Sequence, residues 1–144
     1  MKRTEIFNNF QCPFINGIFL HNGEIFVLDY RNKDNATVDI VRKLNFFDDK
    51  VKKADLIDFD YMGQISYADY QIRYGEGSFG GDGVVGLFLK NELVWFLFLE
   101  NSNPFCKAII KDHIVFVQST NGVIFSIPID NPQLLQVVKN PDFL

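Results

Sequence analysis

From Gly75 to Gly80 the chain reads Gly-Glu-Gly-Ser-Phe-Gly, a letter-for-letter match to the G-x-G-x-x-G pattern that handles nucleotide phosphates. The kinase form of that chemistry places Val two residues beyond the third glycine, where this chain has Asp82. It also needs H-R-D and D-F-G triplets for the base and a metal ligand, and the sequence has neither. The dinucleotide form needs a helix after the glycines, so that its N-terminus can hold the pyrophosphate. Here an apolar run, Val84 to Leu89, follows instead and reads as a strand. The glycines at 75, 77, 80, 81 and 83 are therefore expected to form a loop of tight turns with positive φ. No cofactor is expected.

Other reactive types are sparse. His21 and His113 both fall at predicted turns, and nothing marks a third group that would orient either one as the base of a Cys–His pair. Zinc needs three or four N or S ligands, and the two Cys and two His show none of the local pairing of such sites, so no zinc is expected. Asp58 and Asp60 share a strand face but lack the glycine-centred loop that calcium favours. The expectation is no catalytic residue and no metal.

The binding signal is a run of carboxylates interleaved with aromatics. Asp55, Asp58, Asp60, Asp69, Glu76 and Asp82 stand beside Tyr61, Tyr67, Tyr70 and Phe79, and only Arg73 opposes the six acids between 55 and 82. Aromatic anchors with one sign of charge are what a protein-binding face uses. These ten residues are the candidate partner-binding set. Pattern alone equally allows tyrosines that cap the rim of a core.

The elements that would position them are strands. Val84 to Leu89 and Leu93 to Leu99 are apolar runs of strand length, joined by Lys90-Asn91-Glu92, and read as a hairpin buried on both faces. Between Phe14 and Tyr30, Asn22-Gly23 predicts a hairpin with a type I′ turn, and Asn121-Gly122 predicts another before Val123 to Ile129. Pro128 there suggests an edge or a strand end. Ile57, Phe59 and Tyr61 alternate with Asp58 and Asp60, and Tyr70, Ile72 and Tyr74 alternate with Gln71 and Arg73, as in strands with one wet face. Ile109 to Val117 is a further run, broken at Lys111-Asp112-His113. Val38 to Phe47 fits a helical face or a strand, its β-branched residues leaning it to strand. One short helix is predicted near the C-terminus, Pro132 to Lys139, with Asn131 as cap and Pro132 at the first position. The fold class is mainly β: an antiparallel sandwich or partly open barrel built from hairpins, in a single domain over 1–144.

Composition sets the frame. The 144 residues are 47% hydrophobic and 22% charged, enough to bury a core. Sixteen Phe favour strands over helices. A net charge of −4 argues against direct contact with nucleic acid and permits a basic protein partner. No apolar run reaches membrane-spanning length, and MKRTEIFNNF lacks the apolar segment of a secretory signal. A cytoplasmic location follows as the expectation, in which Cys12 and Cys106 stay reduced.

The stretch from Gly75-Glu76-Gly77-Ser78 through Gly83, then Trp95, then Asn101-Ser102-Asn103-Pro104-Phe105, resembles small β-rich immunity proteins. These protect bacteria in contact-dependent inhibition and related polymorphic toxin systems. The resemblance covers about thirty residues of the chain. It implies a cytosolic, non-enzymatic inhibitor that binds one cognate toxin domain, often a basic nuclease. Two other readings stay open: a small-ligand or enzymatic β domain that uses the glycine loop, and a structural subunit of a larger assembly.

Overall fold

The structure is a computed structural model that describes residues 5–32 and 35–139. Eight strands form one antiparallel sheet in the order β1-β5-β6-β7-β8-β2-β3-β4. They are β1 (Gln11–Pro13), β2 (Gly17–Leu20), β3 (Glu24–Arg31), β4 (Thr37–Asn45), β5 (Leu56–Tyr67), β6 (Tyr70–Gly77), β7 (Gly83–Leu89) and β8 (Glu92–Leu99). A second sheet runs β12-β11-β10-β9, from β9 (Phe105–Lys111), β10 (Ile114–Ser119), β11 (Ile124–Pro128) and β12 (Gln136–Val137). Two short helices, α1 (Glu5–Asn8) and α2 (Asp49–Lys52), and one 3-10 turn accompany the strands.

The apolar hairpin β7–β8 occupies the middle of the large sheet, and both its faces are buried. Trp95, Leu97 and Leu99 of β8 point towards the second sheet, where they meet Val115, Val117, Phe125 and Ile127. Phe96 and Phe98 point the other way, into a second core closed by Ile6 and Phe7 of α1 and Val51 of α2. A strand buried on both sides has no polar alternate positions to show, which is why the sequence there reads as an unbroken apolar run. The large sheet is strongly curled. Phe59 of β5 and Phe96 of β8 are three strands apart, roughly 14 Å across a flat sheet. Their ring centroids are 4.8 Å apart.

Both free edges of this sheet carry a β-bulge. On β4 the extra residue is Val41, between the pairs Arg42–Val27 and Ile40–Leu28. On β5 it is Met62, between Tyr61–Gly75 and Gly63–Tyr74. β1 pairs only with Leu56–Asp58, so the rest of β5 is edge. A bulge twists an edge away from edge-to-edge pairing and so protects it.

Several expectations change in detail. At Asn22-Gly23 and Asn121-Gly122 only the glycines are left-handed, with φ of 95° and 92°. These are three-residue loops rather than type I′ turns. Gly23 N–H donates to the Leu20 carbonyl and Gly122 N–H to that of Ser119, each at 3.0 Å. Each Asn side-chain oxygen then accepts the N–H two residues on, from Glu24 at 2.9 Å and Val123 at 3.1 Å. Pairs of left-handed residues occur instead at Lys90-Asn91 and Asp112-His113. The predicted C-terminal helix shrinks to one 3-10 turn, Pro132–Leu134, and Asn131 makes no side-chain cap. Strand pairing wins beyond it: Gln136 and Val137 pair with β11, and Val138 N–H donates to the Ile124 carbonyl at 2.8 Å.

Candidate functional site

The glycine stretch is mostly strand. Gly75 and Gly77 lie inside β6 and Gly83 opens β7, leaving a loop of Ser78 to Asp82 in which Gly80 alone has positive φ. Two of these glycines exist for close approach instead. A Cβ on Gly75 would overlap the Asp60 carbonyl oxygen at the Met62 bulge, and one on Gly83 would stand 2.6 Å from Ser102 Oγ. The strand β7, and no helix, follows the loop, so no helix N-terminus faces it.

The loop is pinned at both shoulders. Ser78 N–H donates to the Asp58 carbonyl at 2.8 Å, and Gly80 N–H to the Gly77 carbonyl at 3.0 Å. On the other side Asn103 N–H donates to the Gly81 carbonyl at 2.9 Å. Asn101 N–H donates to Asp82 Oδ1 at 3.1 Å. Asp82 is thus a buried brace, 3% exposed, and its Oδ2 has no hydrogen-bond partner. It lies under the loop rather than on a surface. At the tip, Phe79 is 77% exposed and meets Phe14 edge-to-face, 6.1 Å away; Phe14 in turn rests on Phe98 at 5.6 Å.

Carboxylates surround this tip. Asp58 and Asp60 share one face of β5, and Glu76 stands directly across from Asp60. Asp58 accepts a hydrogen bond from Gln11 Nε2 at 3.0 Å. Asp29, Glu24 and Asp130 form ion pairs away from this loop. Asp55 is also exposed, but Lys52 and Lys53 precede it closely, so the acidic excess sits at 58, 60 and 76. Phe10 and Leu56 are exposed beside the same end and extend the apolar surface. Sequence reasoning missed Phe10, Phe14 and Leu56, because exposed apolar side chains carry no pattern that separates them from core ones.

The ten candidate residues therefore divide. Asp55, Asp58, Asp60, Glu76 and Phe79 gather at the loop end, with Asp82 beneath them. Tyr61 faces inwards with Phe59, its hydroxyl buried without a partner; burial, opposed by nearby Arg73, pushes the phenol up. Tyr67, Asp69 and Tyr70 sit at the far turn of the β5–β6 hairpin, roughly 30 Å along the strand from Asp58. There Tyr70 meets the ring of His113 edge-on at 5.8 Å.

The two cysteines differ in burial. Cys12 is fully buried in the second core, where burial and then the charge of Asp82 push its thiol up, away from the reactive thiolate. Cys106 is exposed on β9, and both thiols are free. A thiol reagent should label Cys106 in the folded protein and Cys12 only on unfolding; prompt labelling of both would contradict the packing around Cys12. Among the described residues no three His, Cys, Asp or Glu side chains group to hold a metal, and no helix is long and apolar enough to cross a membrane. No protein-family model matches the chain, and no curated protein matches it in sequence.

Proposed function

We propose that this chain is a non-enzymatic, protein-binding inhibitor of the immunity type, which neutralises one cognate toxin domain in the bacterial cytoplasm. The observation that carries the reading is Phe79: a large aromatic ring held out into solvent on a loop fixed by backbone hydrogen bonds. Exposing such a ring is unfavourable in the free protein, whereas a pre-ordered anchor loses little conformational freedom on docking. Phe14, Phe10 and Leu56 give the anchor an apolar surround. Asp58, Asp60 and Glu76 give it a negative flank.

A basic partner is the chemistry that fits this face. The acids would steer its approach, and Phe79 would fill an apolar pocket at the centre of the contact. Neutralisation then needs no chemistry by the inhibitor, since covering or displacing a catalytic surface suffices. The test is co-expression with the toxin domain encoded next to this chain. Growth should be restored, and the two proteins should purify together. Failure of the intact chain to bind that domain or to restore growth would end the immunity reading.

A further inference from the structure

A cleft of about 480 Å³ opens between the two sheets at the end opposite Phe79. β7 runs from Gly83 beside the glycine loop to Leu89 on the cleft wall, so roughly 20 Å separates the two regions. The volume lies within the range of small-molecule sites. The walls are apolar: Leu20, Phe26, Leu89, Val94 and the base of Trp95. Trp95 Nε1 donates to the Ile129 carbonyl at 3.1 Å, which ties the large sheet to the chain leaving β11 and fixes the floor.

The rim is polar and one-signed. It carries Glu24 and Asp130 and no Lys or Arg. Glu24 is already engaged, by Lys43 at 3.1 Å from outside the cleft and by Asn22 Nδ2 at 3.3 Å. Asp130 takes one contact, from His113 Nε2 to its Oδ2 at 3.1 Å, which leaves Oδ1 for a ligand. His21, Asn22, Tyr70 and Gln133 add further polar groups to the cleft.

We propose that this cleft binds a small organic ammonium: an apolar body lies against Phe26, Val94 and Trp95, and the charged nitrogen reaches Asp130. The apolar walls favour burial of the ligand's apolar body, and the carboxylate rim favours a cation over an anion. The site is independent of the docking face, so it can fail while the immunity reading stands.

Trp95 is the only tryptophan of the chain, so its emission reports on the cleft directly. The probes are phenethylamine, the neutral phenylpropanol and the anionic phenylpropionate, titrated at neutral pH and followed by emission and by calorimetry. Phenethylamine should bind saturably, with phenylpropanol weaker and phenylpropionate weakest. Asp130→Asn should weaken phenethylamine about fivefold, the most that an exposed ion pair gives, and leave phenylpropanol unchanged. Absence of both heat and emission change with phenethylamine would overturn the proposal. So would phenylpropionate binding as tightly, or an ammonium affinity untouched by Asp130→Asn.

Discussion

Gly75→Ala should destabilise the fold by about 3 kcal/mol or more, at or beyond the upper end of ordinary overpacking. The reason is local and specific. Gly75 pairs with Tyr61 beside the Met62 bulge, where the two backbones approach so closely that an added Cβ overlaps the Asp60 carbonyl oxygen. It would also stand 2.9 Å from Met62 N, so relief requires the backbone of β5 or β6 to move. Backbone in the middle of a paired strand cannot swing aside as a flexible side chain can. Against a total stability of about 5–15 kcal/mol for a domain, this loss is large. Gly81→Ala is the matched control, because nothing lies within 4 Å of its added Cβ. Urea unfolding followed at Trp95 measures both. A shift below about 1 kcal/mol for Gly75→Ala would mean that the bulge can relax, and that glycine is not required there.

The second large effect is on binding. Phe79→Ala should weaken the toxin complex by about 2–4 kcal/mol, the cost of losing a central aromatic anchor. It should leave the unfolding midpoint nearly unchanged, because the ring contributes little to the free fold: it is 77% exposed. The charge-reversed Asp58→Lys/Asp60→Lys protein should slow association and flatten its salt dependence. If either carboxylate pairs with a buried cation of the partner, it should also cost several kcal/mol. Both side chains lie on the solvent face of β5, so the fold should tolerate the change. Leu134→Ala removes another exposed apolar side chain, one remote from the loop, and should alter nothing. Kinetic binding measurements on these variants separate anchor from steering. Equal losses for Leu134→Ala and Phe79→Ala would mean that the partner covers another surface.

Much of the scaffold was legible from residue types. The Val84–Leu99 hairpin announced itself because both faces of its strands are buried, and the alternation at 57–61 and 70–74 marked half-buried strands. Of Val38–Phe47, the residues up to Asn45 proved to be strand, as the β-branched residues suggested, and Phe46 and Phe47 turn away from it; nearly every side chain of β4 is exposed. The bulges were not legible, since a single extra residue leaves no mark on composition. Their effect is large, because a one-residue slip moves every later side chain to the other face. Past Met62 the β5 residues Ile65 and Tyr67 join the face of Asp60, whereas Tyr61 stays on the face of Phe59. The candidate partner-binding set held both Tyr61 and Tyr67, which the fold places on opposite faces. Glycine meanings were equally hidden: a turn and a close backbone crossing call for the same residue. The pairing of β1 with β5, which brings Phe10, Phe14 and Leu56 towards Phe79, links residues more than forty positions apart. No local pattern encodes such a contact.

The most direct test of the docking account is amide hydrogen exchange on the chain, alone and bound to the toxin domain of the neighbouring gene. The account predicts new protection in residues 55–60 and 78–82, with the Phe79 and Gly81 amides slowed most and the turns around His21 and His113 unchanged. Protection confined to those distant turns or to β4, with the 78–82 loop exchanging as in the free protein, would contradict it.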